Sequence, residues 1–297
     1  QHVAPLLPRS LLQAGIDKGF PGDERAPLVV EPTAPHTHTF IHCVEFMGRA
    51  DAPWFVTRAF GMSSDSQQAR IFREVMAPRL PSVRWIILSP PKRAVKFIST
   101  KLGGKKIRVP SWYDFESMEC TSTQDLESQC DGVRRLAAAV EHEVTARGVA
   151  PENIVISGFS GGGVVALLYA QLQAGALSPQ LAGPTSLRRV GAVVGWSTHT
   201  GGTEMLYHRE HGVVFAAPPI APRRVEGLPL LMLTAGDDPI VLPTVSDLSA
   251  RTMHHLGASV TLKRFALSRL HARTPRQWHT VGEWLVQTLG LPAPGSP

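Results

Sequence analysis

Ile154-Val155-Ile156-Ser157-Gly158-Phe159-Ser160-Gly161-Gly162-Gly163 is the stretch that decides the fold, and the apolar run Val164 to Leu172 follows it. A β-branched run, a Gly-Xaa-Ser-Xaa-Gly turn and an apolar run predict a strand, a sharp elbow and a helix, with the serine raised above a sheet. A Cβ at Gly158 or Gly162 would collide with the strand or the helix in so tight a turn. Ser160 is therefore the candidate nucleophile, and the alternative is a glycine-rich turn without chemistry.

The composition fits one α/β domain of ordinary surface chemistry. The chain has 297 residues, is 43% hydrophobic and carries a net charge of +6 that is scattered along it. This pattern predicts a basic surface that aids solubility, and no nucleic-acid partner; a weak, peripheral attraction to anionic membranes is the lesser alternative. No apolar segment is long enough to span a bilayer, and no signal peptide is evident. Because the first residue is Gln, a missing targeting segment stays open.

The three cysteines, Cys43, Cys120 and Cys130, are too few and too unevenly spaced for a disulfide scaffold or a zinc site. We expect free thiols and a cytoplasmic location, and a bridge between Cys120 and Cys130 is the alternative.

Strands and helices alternate along the chain, which predicts a mostly parallel central sheet with helices on both faces. We expect an irregular, proline-rich arm over 1–36, a single domain over 37–290 and a disordered tail over 291–297. A basic loop is expected over 92–109, and residues 197–227 are either a lid or a packed loop. The predicted strands are 37–44, 83–88, 154–159, 190–196, 228–234 and 259–265, and the predicted helices are 66–76, 123–147, 164–172, 245–256 and 275–289.

A serine nucleophile needs a base, and the base needs an acidic partner, in the chain order Ser, Asp or Glu, His for sheets of this kind. Asp237 and Asp238 follow a predicted strand, and Pro239 restricts the backbone before it, which favours Asp238. His271 follows the last strand and is favoured as the base over His279, which falls inside the last helix. Surface positions are expected for His208, His211, His254 and His255.

Three histidines, His36, His38 and His42, are separated by even numbers of residues and would share one face of a strand. No carboxylate or cysteine partner is evident near them, so we expect no metal site there, and the predicted chemistry needs no cofactor.

The oxyanion of a tetrahedral intermediate needs two convergent N–H groups. The elbow offers that of Gly161, and the loop after the first central strand offers Phe46, Met47 or Gly48.

The sequence resembles the acyl-protein thioesterase and lysophospholipase/carboxylesterase branch of the α/β-hydrolases over about residues 37–289. This resemblance implies an α/β-hydrolase fold, Ser160 as nucleophile, Asp238 as acid and His271 as base. It also implies acylated proteins, lysophospholipids or small esters as substrates. The stretches that carry it are Trp112-Tyr113-Asp114, Pro151 to Gly162, Gly195-Trp196 and Gly236-Asp237-Asp238-Pro239-Ile240-Val241-Leu242-Pro243.

The chain departs from that family in three places. Glu45 and Phe46 stand where the family has small residues, Gly161 stands where Gln is frequent, and His271 follows Leu rather than Gly. A poorly formed oxyanion loop would cost about 100- to 1,000-fold in rate. The leading hypothesis is a serine esterase or thioesterase, and the alternatives are a catalytically impaired homologue that binds lipid or protein, and an esterase or peptidase of another branch.

Overall fold

A computed structural model describes residues 26–46, 70–117, 125–177, 187–201, 225–266, 271 and 274–291. Nine strands and five α-helices lie within these ranges. The strands are β1 (Leu28–Val30), β2 (His38–Cys43), β3 (Val83–Leu88), β4 (Lys92–Ala94), β5 (Arg108–Pro110), β6 (Ile154–Phe159), β7 (Ala192–Trp196), β8 (Pro229–Ala235) and β9 (Ser259–Phe265). The helices are α1 (Lys96–Lys101), α2 (Leu126–Arg147), α3 (Gly161–Gln173), α4 (Pro243–His255) and α5 (Pro275–Leu289).

Seven strands form the central sheet in the order β1-β3-β2-β6-β7-β8-β9. All neighbours are parallel except β1, which pairs antiparallel with β3. The predicted α/β-hydrolase fold, with its mostly parallel sheet, is confirmed. Because parallel strands end at one edge, the residues that follow β2, β6, β7, β8 and β9 are brought together there.

The two faces of the sheet carry separate apolar cores, as expected for a sheet covered on both sides. On one face, α2 and α3 form a core together with Trp112 and Tyr113, which precede α2 in the chain. On the other face, α5 and a helical turn at Phe72–Met76 enclose an aromatic group that includes Trp85, Trp196 and Trp278. The strands β3, β6 and β7 are buried along their whole length.

The ends of α2 and α5 follow from local sequence. Asp125 caps α2 by accepting hydrogen bonds from two backbone N–H groups of its first turn, and Gly148 ends the helix with φ of +69°. Thr274 and Gln277 form a capping box at α5, whose first residue is Pro275. These signals fix the start of α5 just after His271.

Three sequence predictions need correction. Residues 28–30, assigned to the irregular arm, form β1, because even three apolar residues can pair with the otherwise open edge of β3. Residues 92–109, predicted as a loop, contain β4, α1 and most of β5, which pair or pack locally. Leu291, assigned to the disordered tail, is buried against the aromatic core.

Other predictions fall on residues that the structure does not describe. These include Cys120, Met47, Gly48, His208 and His211, the start of the predicted helix at 66–69, residues 202–224 of the possible lid, and residues 292–297. Cys43 and Cys130 are free thiols. Within the described ranges, no helix combines the length and apolar character needed to cross a membrane.

Candidate active site

Ser160 occupies the elbow between β6 and α3. Its backbone has φ of +53° and ψ of −123°, a conformation that residues with a side chain rarely adopt. Every residue from 154 to 173 is buried except Ser160, which is partly exposed. The strained turn therefore lifts one hydroxyl out of an otherwise buried strand and helix.

The glycines of the elbow are required by close backbone contacts. A Cβ on Gly158 would lie 2.2 Å from backbone atoms of Gly162, and a Cβ on Gly162 would lie 2.2 Å from the Cys43 carbonyl oxygen. The N–H of Ser160 donates to the Trp196 carbonyl at 2.9 Å, which ties the elbow to β7. These contacts place the serine at the edge where the parallel strands end.

His271 and Asp238 form a buried pair at the same edge. His271 Nδ1 lies 2.9 Å from Asp238 Oδ2 and 3.1 Å from Oδ1. The side chains are 4% and 0% exposed. Asp238 accepts this N–H as a carboxylate, which leaves Nε2 as the basic nitrogen of the imidazole.

Hydrogen bonds hold Asp238 in its ionised form. Burial alone would raise its pKa, but hydrogen bonds from His271 and from backbone N–H groups, with a smaller effect of the Ser197 side chain, outweigh burial and lower the pKa below its ordinary value. The Ile240 and Val241 N–H groups both donate to Oδ1 at 2.9 Å. The acid is thus charged and orientated.

Phe159, the residue before Ser160, contacts the pair formed by His271 and Asp238. The ring of Phe159 packs on the His271 ring with centroids 4.7 Å apart. His271 Nε2 is buried and makes no hydrogen bond within the described part of the chain. The acid and the histidine are joined directly, whereas the serine hydroxyl and Nε2 are not hydrogen-bonded in this structure.

The oxyanion candidates lie beside Ser160. Gly161 begins α3, so its N–H has no acceptor within the helix. The backbone nitrogen of Phe46 lies 3.9 Å from the point that a Cβ on Gly161 would occupy. The Phe46 ring packs edge-on against Phe115 at 5.0 Å, and the Tyr113 ring lies 3.6 Å from the same point beside Gly161. The bulk of Phe46 is therefore in the core, while its nitrogen is next to Gly161.

The remaining sequence candidates lie elsewhere. Asp237 is partly exposed, and it is Asp238 that contacts His271. His279 is on α5 and pairs with Glu283 at 2.9 Å. The Ser157 hydroxyl donates its hydrogen to the Ile41 carbonyl, so it accepts a hydrogen bond from His42 Nδ1 at 2.8 Å. His36 and His38 bond to nearby threonines, and His254 and His255 are exposed on α4.

Sequence reasoning missed three polar residues at the end of β7. Ser197, Thr198 and His199 are buried directly after Trp196, at the same edge as the serine. Burial lowers the pKa of His199 to about 4, and its Nδ1 donates to the Thr200 carbonyl at 3.0 Å. Their position after a predicted strand was the one signal that marked them.

Comparisons with known proteins agree with this architecture. The sequence profile described as Phospholipase/Carboxylesterase matches residues 46–198, which are 153 of the 297 residues. Acyl-protein thioesterase 1 of Yarrowia lipolytica is 33% identical over 135 residues, 45% of this chain and 50% of that protein. The match thus spans about half the length of this curated relative.

Two solved structures illustrate the shared fold. Zea mays acyl-protein thioesterase 2 superposes with a TM-score of 0.67 at 20% identity, over 89% of this chain and 99% of that one. The Bacillus cereus carboxylesterase superposes with a TM-score of 0.56 at 12% identity, over 88% of this chain and 93% of that one. Since the family profile covers just over half of the sequence, this chain belongs to the phospholipase/carboxylesterase family of α/β-hydrolases.

Proposed function

We propose that this chain is a serine hydrolase that cleaves carboxylic esters or thioesters through an acyl-enzyme. Its nucleophile is Ser160, its general base is His271, and Asp238 orientates the histidine. The observation that carries this proposal is the buried pair of His271 and Asp238, 2.9 Å apart, beside a serine on a strained elbow.

The geometry supports a different role for each of the three side chains. Asp238 holds Nδ1 in its protonated form, so Nε2 is left as the proton acceptor. His271 Nε2 takes the Ser160 proton as Oγ attacks the substrate carbonyl carbon. The tetrahedral intermediate collapses, the bond to the leaving oxygen or sulfur breaks, and Nε2 returns the proton to that leaving group. A water molecule then attacks the acyl-enzyme by the same steps, and the carboxylic acid product is released.

Backbone N–H groups stabilise the negative charge of the tetrahedral intermediate. The N–H of Gly161 and the N–H of Phe46 are the two donors that we assign to it, with Met47 and Gly48 as the alternatives to Phe46. The N-terminus of α3, a helix of 13 residues, adds a favourable potential at the same point. Since the Phe46 ring packs on Phe115, its bulk does not obstruct the carbonyl.

Family membership supports the substrate class. The family takes its description from phospholipases and carboxylesterases, and the Yarrowia lipolytica relative is an acyl-protein thioesterase. We therefore propose acylated proteins, lysophospholipids or small esters as substrates. The chemistry drawn above uses side chains and backbone groups alone, so we propose no metal or organic cofactor.

Labelling with a fluorophosphonate tests the proposal. We expect covalent labelling of Ser160, mapped by mass spectrometry, that is lost in Ser160→Ala and slowed at least 1,000-fold in His271→Ala. The two variants are first checked for native circular dichroism and urea unfolding.

A folded wild-type protein that is not labelled would contradict the proposal and favour the binding-protein alternative. Turnover of thioesters and oxygen esters is then compared with that of the matched amide. A preference for the amide would overturn the substrate class and favour the peptidase alternative.

A further inference from the structure

Trp112 joins the core beneath α2 to the loop that follows β2. Its side chain is buried, and its indole N–H donates to the carbonyl oxygen of Val44 at 2.5 Å. Val44 is the first residue after β2, and Phe46, whose N–H we assign to the oxyanion, lies two residues further along. The carbonyl of Val44 and the N–H of Phe46 belong to adjacent peptide units, each of which is planar. A side chain that fixes the first unit therefore limits the orientation of the second.

Val44 is also held by backbone contacts. Its N–H donates to the Leu88 carbonyl at 3.1 Å, which extends the pairing of β2 with β3 by one residue. A Cβ on Gly162 would lie 2.5 Å from the Val44 carbonyl oxygen, so the first turn of α3 packs directly against this group. The residue is fully buried. The Val44 carbonyl thus lies between the elbow helix and the Trp112 indole, whose hydrogen bond it accepts.

Trp112 is itself held in a fixed position. Two residues further on, the Asp114 N–H donates to Ser128 Oγ at 2.9 Å, and the Asp114 carbonyl accepts the Asp125 N–H at 3.1 Å. These bonds attach the segment to the start of α2. A Cβ on Gly132 of α2 would lie 3.4 Å from Trp112 Cε3, so the indole packs closely on the helix. The donor is therefore anchored to the core rather than to the loop that it contacts.

We propose that Trp112 is a positioning residue, whose indole N–H holds the Val44 carbonyl so that the Phe46 N–H is directed at the oxyanion. This inference rests on the proposed function, in which that N–H stabilises the tetrahedral intermediate formed on Ser160. It gives a role to a tryptophan that the catalytic steps above do not use.

The expected effect follows from the loss of one buried hydrogen bond. Without the indole N–H, the buried Val44 carbonyl loses this donor, and rotation of its peptide plane towards another donor is favoured. Rotation of that plane displaces the N–H of the next peptide unit, which belongs to Phe46. Complete loss of an oxyanion donor costs about 100- to 1,000-fold in kcat. Displacement of the donor costs less, so we expect a loss of about 30-fold in kcat.

Two replacements of Trp112 separate positioning from folding. Trp112→Phe removes the N–H and part of the ring system, whereas benzothienylalanine, incorporated at position 112, keeps the bicyclic shape and has sulfur in place of the N–H. With p-nitrophenyl butyrate as substrate, we expect kcat per fluorophosphonate-titrated serine to fall about 30-fold in both full-length variants, with KM within twofold of the wild type. The benzothienyl variant should keep native circular dichroism, so its loss of rate is separate from a loss of fold.

An alkyl trifluoromethyl ketone gives a second readout, which a purely structural role would not change. When this ketone binds, Ser160 Oγ bonds to the carbonyl carbon, the serine proton moves to His271 Nε2, and the carbonyl oxygen becomes an oxyanion, as in the intermediate. Its inhibition constant should rise in both Trp112 variants by the factor by which kcat/KM falls. An unchanged inhibition constant would overturn the inference, because the oxyanion site would then be intact.

Trp85→Phe is the matched control. Trp85 is also fully buried, but it lies on β3 in the other core, and its indole N–H makes no hydrogen bond within the described part of the chain. This substitution removes the same atoms as Trp112→Phe without removing a hydrogen bond, so we expect wild-type kcat and ketone affinity. An equal loss in Trp85→Phe, or wild-type kcat in the benzothienyl variant, would overturn the inference. Absence of fluorophosphonate labelling in the wild type would instead overturn the proposed function itself.

Discussion

Replacing Gly162 by alanine should disable the elbow, whereas the same change at Gly161 should be tolerated. A Cβ on Gly162 would lie 2.2 Å from the Cys43 carbonyl oxygen and 2.5 Å from that of Val44. Both atoms belong to the backbone and cannot rotate away. A Cβ on Gly161 would lie 3.6 Å from the Tyr113 ring, which is an ordinary van der Waals contact.

The structure gives the size of the effect. To restore a 3.0 Å contact, the elbow of Gly162→Ala must move from the end of β2 by about 0.8 Å. Overpacking of this kind costs about 3 kcal/mol in the free energy of unfolding. A misplacement that approaches 1 Å costs about 100-fold in rate. Alanine at Gly161, the first residue of α3, keeps the N–H and restricts the unfolded chain, so stability should be unchanged or about 0.5 kcal/mol higher.

Urea unfolding and the rate of fluorophosphonate labelling measure the two effects separately. Gly148→Ala serves as the control, because Gly148 has φ of +69° and nothing lies within 4 Å of its Cβ position. It should cost about 1 kcal/mol in stability from backbone strain alone, with a wild-type labelling rate. Wild-type labelling in Gly162→Ala, or an equal loss in Gly161→Ala, would refute the reasoning from backbone contacts.

Further predictions concern three individual side chains. Asp238→Asn should lower kcat about 10,000-fold with little change in KM, and a loss below 10-fold would contradict the assigned role. Because folding lowers the Asp238 pKa, its contribution to stability is present above the ordinary value of 3.8 and is lost as the pH falls through the folded pKa; urea unfolding of Asp238→Asn should lack this loss. The pKa of His199 falls from 6.5 to about 4 on folding. About 3 kcal/mol of stability should therefore be present above pH 6.5 and be lost between pH 6.5 and 4. In urea unfolding measured over this pH range, His199→Gln should make the stability less dependent on pH. Phe46→Ala should lose about 3 kcal/mol of stability through its contact with Phe115, yet keep its labelling rate per folded molecule within threefold, because the N–H remains.

Local patterns predicted the elements that are defined by their own residues. The run at 83–88 and the run at 259–265 form strands with the predicted bounds, and Thr274-Pro275 marked the start of α5. Turn chemistry at Gly158 and Gly162 identified the elbow, because backbone contact over four residues leaves glycine as the one choice. Fold and elbow were therefore readable from sequence.

Features that depend on distant contacts were not readable. The strand β1 has three residues, too few for a periodic pattern, and it forms because β3 has an open edge. Ser197 follows Trp196 without any motif, and its proximity to Asp238 depends on the pairing of β7 with β8. The choice of Asp238 over Asp237 rested on one proline, and the contact with His271 required the three-dimensional fold to be seen.

The short strand β1 has a consequence for solubility. The strand that it covers, β3, reads Val-Arg-Trp-Ile-Ile-Leu, a segment with high β propensity and one charge. Such a segment with free backbone N–H and C=O groups is a template for a neighbouring chain, and repeated pairing of this kind leads to fibres. Leu28–Val30 occupies the backbone of Trp85–Ile87, so it acts as a guard against aggregation at this edge. At the opposite edge, β9 carries Lys263 and Arg264, whose charges serve the same end by repulsion.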